Sequence, residues 1–341
     1  MAHAELVPVT ILTGFLGSGK TTLLNRLLRA AHGERIAVIE NELGEVGIDG
    51  ALLLDATGAE IVEMANGCIC CTVRGDLTRS LSELAGKRDR GELRFDRVVV
   101  ETTGVADPGP VAQTFFVEPD VTQRYRLDGI VTLVDAVHGA STLDAQREAR
   151  RQVGFADRLL VTKTDLAAEC DVQALAVRLR RMNARAPLKR SVHGAGDASD
   201  VLDLGGFELD GALGIDPHFL NEPHAHRHED DIASFVWRSA ASLDLTRIEE
   251  FLGLAIERFG DDLLRYKGVL DVEGRTERIV LQGVQRLVGC DAGRRWAEGE
   301  ARESVIVFIG RNLPREALAR GLNLCAAGAV QDPASALRDA A

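Results

Sequence analysis

Buried-strand patterns alternate with helical ones along the first half of the chain. Residues 7–13 (VPVTILT) are β-rich and apolar on both faces, which predicts a strand inside a parallel sheet. A glycine-rich turn follows. From Lys20 to His32, Leu23, Leu24, Leu27, Leu28 and Ala31 recur at helical spacing, and Gly33 supplies a stop. Further apolar runs predict strands at Arg35–Glu40, in DRVVVE ending at Glu101, over 129–137 and from about 157 in DRLLVTKTD. Helical stretches lie between several of these, as at 76–89 and 171–183. Such alternation implies a doubly wound α/β domain with a mainly parallel sheet over residues 1–193.

The pattern changes near residue 193. Residues 194–231 are rich in Gly, Asp and His with little periodicity and read as a linker. A second, smaller α+β domain is expected over 232–341. Its predicted elements are a strand at 232–238, a helix over 244–259, strands at 266–272, 277–288 and 304–309, and a last helix opening at Pro314.

The 341 residues are long for one compact domain and comfortable for two. A net charge of -12 repels phosphate backbones at long range, so general nucleic-acid binding is not expected. The N-terminus lacks a basic region, and no apolar run approaches the ~18 residues of a spanning helix. A cytoplasmic protein without a membrane partner is expected.

The strongest chemical signal is Gly14-Phe15-Leu16-Gly17-Ser18-Gly19-Lys20-Thr21, which matches G-x-x-x-x-G-K-[ST] between a predicted strand and a predicted helix. Glycines let backbone N–H groups turn inward around phosphate oxygens, and the helix start adds its positive end. Gly14, Gly17, Ser18, Gly19, Lys20, Thr21 and Thr22 are therefore expected to bind phosphate, with the Lys20 ammonium on the β and γ phosphates and the Thr21 hydroxyl on Mg²⁺. Glu101 ends an apolar strand and can face the Mg²⁺ or its waters. The N–H of Gly104 just beyond can sense a γ-phosphate. Lys20, Thr21 and Glu101 are the expected catalytic set.

Guanine specificity is read from Thr162-Lys163-Thr164-Asp165. The Asp165 carboxylate can accept from both N1–H and the exocyclic amine of guanine, whereas adenine offers an acceptor at N1. The Lys163 stem can lie over the base. Thr162 stands where the common GTPase pattern N-K-x-D has Asn.

Cys68, Cys70 and Cys71 fall in Asn66-Gly67-Cys68-Ile69-Cys70-Cys71-Thr72. Adjacent cysteines make a strained disulfide, and thiolates suit Zn²⁺ and softer ions. Three clustered ligands leave a coordination position open, which favours a labile metal site over a structural one. Small buried apolar cysteines and redox chemistry are the rival readings. Glu40, Glu42 and Glu45 follow the second strand, where a nucleotide-sensing switch would sit. His218, His224, His226 and His228 form a weaker constellation that reads equally as a loose metal site or a solvated linker. Cys170, Cys290 and Cys325 are isolated and read as structural.

Together GFLGSGKTTLLN, ENELGE, GCICCT, ETTGVADP and TKTDL make the sequence resemble the CobW-like GTPases, relatives of the urease and hydrogenase nickel-insertion GTPases. The resemblance implies a P-loop NTPase fold, GTP hydrolysis, Mg²⁺, and Zn²⁺ or Co²⁺ bound through Cys68, Cys70 and Cys71. Glu40 and Glu45 are similar in placement to acidic metal ligands of relatives. The expected protein is thus a GTP-hydrolysing metallochaperone that delivers metal to a client metalloprotein or cofactor-synthesis enzyme, with a nucleotide-dependent homodimer as one expected assembly. A GTP-regulated zinc store or sensor and a small-molecule P-loop kinase are the alternatives.

Overall fold

The computed structural model describes residues 6–30, 33–40, 61–63, 73–192, 198–207 and 231–338. The chain divides into two compact units, Met1–Leu179 with Ala186–Phe207, and Arg180–Arg185 with Glu208–Ala341.

The first unit is built on strands β1 (Val7–Gly14), β2 (Ile36–Glu40), β3 (Ile61–Glu63), β4 (Arg97–Glu101), β5 (Tyr125–Asp135), β6 (Arg158–Thr162) and β7 (Leu188–Ser191). They form one sheet in the order β3-β2-β4-β1-β5-β6-β7, every pairing parallel. The described helices between them are α1 (Lys20–Arg29), α2 (Val73–Asp89), α3 (Pro108–Val117), α4 (Pro119–Thr122), α5 (Gly139–Ala145), α6 (Arg147–Phe155) and α7 (Glu169–Met182). This is the P-loop NTPase fold. β1, β4 and β6 are buried almost throughout, as continuous apolar runs between two helix layers must be. Leu23, Leu24 and Leu27 of α1 are buried on Leu12, Val38, Val99, Val131 and Leu133. Full burial of each such leucine contributes about 1.5–3 kcal/mol. The helix ends at Arg29, with Ala30 already extended, rather than running on to His32.

β3 and β7 lay outside the strands expected from pattern. The first has only three residues, and the second carries the polar pair Lys189 and Arg190 at the sheet edge, so neither makes an apolar run. Residues 198–207, inside the stretch read as linker, are bonded to the first unit. The Asp128 carboxylate accepts from the N–H groups of Leu204 and Gly205, and the Gly206 N–H donates to the Asp128 carbonyl at 2.7 Å.

The second unit is an antiparallel sheet of β8 (Ile232–Ser239), β9 (Leu263–Leu270), β10 (Glu277–Val284), β11 (Leu287–Arg295) and β12 (Ser304–Arg311), ordered β11-β10-β9-β12-β8. The helices α8 (Leu245–Phe259), α9 (Arg315–Asn323) and α10 (Ser335–Arg338) complete it. Phe251, Leu318 and Leu322 from the helices share one core with Phe235, Tyr266 and Phe308 from the strands. The run 277–288 is a hairpin rather than one strand. Gln285 takes φ 51 at its turn, where no Asn-Gly or Asp-Gly announces a reversal. Pro314 caps α9 instead of opening it. Cys325 is buried, and Cys170 and Cys290 are exposed. Among the described residues no helix is long and apolar enough to cross a membrane.

Candidate functional site

The C-terminal edge of a parallel sheet, beside its central strand, is where a doubly wound fold leaves a crevice. β1 is that strand, and Gly14 to Lys20 leave it there. Gly14, Gly17 and Gly19 adopt φ 146, 73 and 96. At Gly14 there is no room for a side chain either, because a Cβ would lie 2.5 Å from the Leu133 carbonyl oxygen. Gly19 caps α1 without a side-chain acceptor, so the first N–H groups of the helix are left to a ligand. Lys20 is buried and its Nζ donates to the carbonyl oxygens of Gly14 at 2.8 Å and Phe15 at 3.5 Å, which holds the ammonium inside the curl of the loop.

Thr21, one residue into α1, donates its hydroxyl to Glu101 Oε1 at 3.2 Å. β4 lies next to β1 with Leu12 opposite Glu101, which brings the carboxylate to the helix start. Two hard oxygens at a phosphate loop fit Mg²⁺, which prefers oxygen ligands and a few carboxylates. On the far side of β4, Glu40 stands in register with Glu101, and Glu63 in register with Glu40. Glu40 is buried.

The turn after Glu101 is fixed at several points. Thr102 donates its hydroxyl to Thr13 Oγ1 at 2.8 Å and its N–H to Leu12 O at 3.0 Å. Gly104 abuts the phosphate loop so closely that a Cβ there would lie 2.7 Å from the Leu16 nitrogen. Asp107 caps α3 by accepting from Gly109 N at 2.9 Å and also accepts from Arg151 at 2.7 Å.

Thr162 ends β6 and donates its hydroxyl to Ser18 O at 2.8 Å, across 144 residues of sequence. This bond ties the Thr162–Asp165 loop directly to the phosphate loop, and threonine supplies the donor where the common pattern has asparagine. Lys163 follows at φ 55 and its Nζ reaches Asp135 Oδ2 at 2.7 Å. Burial pushes the Asp135 carboxyl upward, but the Lys163 ammonium and the Val137 and His138 N–H groups outweigh it and hold the group below its ordinary value. Asp165 is exposed, two residues beyond. A cavity of about 120 Å³ borders the loop, lined by Leu16, Asp135, Leu143, Gln152, Val153 and Lys163. Asp165 is not among its walls, which come from the phosphate loop, β5, α5, α6 and Lys163.

Asp135, Asp107 and Gln152 were not among the expected site residues. Asp135 carries the same signal as Glu101, an acid at the C-terminal end of a buried strand. The other two lie on helix caps and faces with no local signature. Cys68, Cys70, Cys71, Glu42, Glu45 and the histidines 218, 224, 226 and 228 lie outside the described residues. Among the described residues no group of three His, Cys, Asp or Glu side chains is placed to hold a metal.

A parallel sheet with a phosphate loop, a Lys-Thr pair and an acid at its C-terminal edge, followed in the chain by a small antiparallel unit, defines a two-domain P-loop NTPase. Residues 8–190 match the family described as CobW/HypB/UreG, nucleotide-binding domain, and residues 232–326 match the cobalamin synthesis protein cobW C-terminal domain. The chain belongs to the CobW/HypB/UreG family. It is 43% identical to the zinc chaperone YjiA of Escherichia coli strain K12, over 91% of this chain and 96% of that one. It is 32% identical to the zinc chaperone CobW of a Sinorhizobium species, over 94% and 97% of the two chains. The crystal structure of the Zn(II)-bound YjiA GTPase from E. coli matches with a TM-score of 0.78 at 38% identity, covering 93% of this chain and 98% of that one.

Asp165→Asn is expected to relax a preference for GTP over ATP that should be at least about tenfold, roughly 1.4 kcal/mol, in the parent. Asparagine presents one acceptor and one donor where guanine needs two acceptors. Competition between the two nucleotides for a fluorescent GDP analogue measures it. Equal affinities in the parent would defeat the guanine assignment.

Proposed function

We propose that this protein is a GTP-hydrolysing metallochaperone. It binds Zn²⁺ or Co²⁺ at the loop of Cys68, Cys70 and Cys71, with Glu40 and Glu45 as further ligands, and hands the ion to a client metalloprotein or cofactor-synthesis enzyme. The observation that carries the reading is the shared sheet edge. Glu101, bonded to Thr21 at the phosphate loop, is in backbone register with Glu40, at the start of the segment that leads to the cysteines. A nucleotide that moves one strand end therefore adjoins the metal's acidic ligands. The zinc-chaperone names of the relatives support the choice of cargo.

The residues divide the work by charge and position. Inward N–H groups of Gly17 to Thr22 and the start of α1 bind the phosphates, and Lys20 offsets charge on the β and γ phosphates. Thr21 and Glu101 would hold Mg²⁺, which when bound neutralises phosphate charge. Thr162 keeps Lys163 and Asp165 on the same rigid frame as the loop, so base and phosphates are read together. His224, His226 and His228 form a second, weaker metal site.

If nucleotide and metal share the switch, each tightens the other's binding by the same factor. Zn²⁺ affinity should rise at least about tenfold, roughly 1.4 kcal/mol, from the GDP form to the form with Mg²⁺ and a non-hydrolysable GTP analogue. Replacing Cys68, Cys70 and Cys71 by Ser should abolish tight binding and the difference with it. A triple mutant of the YjiA GTPase with a glutamate and two adjacent cysteines replaced is also Zn(II)-bound in its crystal structure. Affinity by chelator competition, not metal content, is therefore the measurement. Identical affinities in the two nucleotide states would refute the gating.

A further inference from the structure

We propose that Gln152 is a positioning residue for the turn at Gly104–Ala106, holding it in the geometry that distinguishes GTP from GDP. The inference rests on the reading of the phosphate loop as a GTP site and names a residue of α6 that acts on it.

Gln152 is 1% exposed. Its Nε2 donates to two carbonyl oxygens of the turn, Gly104 at 3.1 Å and Ala106 at 3.0 Å. An amide nitrogen carries two hydrogens, so these two bonds use its full donor capacity. The residue is itself pinned, because Thr132 of β5 donates its hydroxyl to the Gln152 carbonyl at 2.8 Å. One rigid path thus runs from the centre of the sheet through α6 to the turn.

The ends of the turn have other anchors, Thr102 on β1 and Asp107 on α3 and Arg151. Its middle does not share them. Ala106 N closes the turn on Thr103 O at 3.1 Å, and Val105 at the tip is exposed. Gly104 presses on the Leu16 backbone, so a shift of a few tenths of an ångström there changes how turn and phosphate loop fit. A γ-phosphate lies beside this turn in a site of this build and a GDP does not reach it. Loss of the Gln152 bonds should therefore weaken binding of the triphosphate and leave the diphosphate.

The test uses the full chain with Q152E and Q152A. Glutamate keeps the size of the side chain, but its carboxylate has no hydrogen to donate and faces two carbonyl oxygens. Alanine removes the contact without adding charge and stands in if the buried charge prevents folding. Affinities for GDP and for a non-hydrolysable GTP analogue, both with Mg²⁺, are measured beside kcat and KM for GTP and thermal melting. In both variants GDP affinity should stay within about twofold of the parent. Analogue affinity should fall at least about tenfold, and kcat should fall more than KM rises. A ratio of analogue to GDP affinity equal to the parent's in a folded variant overturns the proposal. Equal loss of both nucleotides also overturns it, because it marks a structural residue only. A parent chain that binds neither nucleotide overturns the GTP reading instead, and the parent titration separates the two failures.

Discussion

Lys20→Ala is expected to lower GTP turnover by about a hundredfold to a thousandfold, or roughly 3–4 kcal/mol of transition-state stabilisation. In the structure the ammonium is held inside the loop by the carbonyls of Gly14 and Phe15, the place where phosphate charge would develop. No neighbouring side chain of the described site duplicates that charge there, since Lys163 is committed to Asp135. The fold should persist. Lys20 lies in the first turn of α1, and the leucines that anchor the helix are elsewhere on it. Steady-state phosphate release and thermal melting, followed on the same preparation, decide the matter. Turnover near the parent's would remove the phosphate-loop argument.

Arg97→Met is expected to cost about 3–5 kcal/mol of stability in the first unit, a fall of roughly 10 °C in melting temperature. Arg97 starts β4 at the end of the sheet opposite the phosphate loop and is 2% exposed. Its guanidinium donates to Glu34, reaches Asp203 at 2.6 Å and lies 3.9 Å from Asp128. Asp128 is 1% exposed. Burial raises its carboxyl above the ordinary value, against the pull of the Gly205 and Leu204 N–H groups and of Arg97. Methionine keeps much of the volume but removes the Arg97 charge from beside that buried carboxylate, leaving only the cationic pull of Arg126, which raises it further. A group raised in the folded state binds its proton more tightly there, so stability from this group grows as pH falls. The deficit of the variant should accordingly be largest near neutral pH and shrink as pH falls and the carboxyl takes up its proton. Turnover per folded molecule should match the parent, because the site stands at the other end of the strands. A melting temperature within about 1 °C of the parent at neutral pH would show that the ion pairs carry no net stability.

The phosphate site was legible because its requirements are local. A helix start, three glycines with positive φ and a lysine must be consecutive in the chain, so the spacing itself states the chemistry. The apolar strands were legible for a related reason. Burial on both faces leaves no polar alternation, and β1, β4 and β6 read as apolar runs, whereas β5 was read only from 129 because Arg126 and Asp128 interrupt its first half. β3 and β7 were not, since a short or edge strand draws its stability from a neighbour's hydrogen bonds rather than from its own apolar content. The hairpin at Gln285 was missed because a non-glycine residue takes the positive φ there.

The sequence by itself determined the nucleotide loop, the acid at the end of β4, the family and the two-part order of α/β and α+β units. Tertiary structure decided the partnerships. That Thr162 secures Ser18, that Lys163 faces Asp135, and that Gln152 holds Gly104 depend on residues 144, 28 and 48 positions apart. The same is true of residues 198–207, which look like linker until Asp128 is seen to accept their N–H groups. A hydrogen bond is satisfied by whichever group the sheet order brings within about 3 Å, and sheet order follows from the packing of all strands at once. No single segment of the chain contains that information.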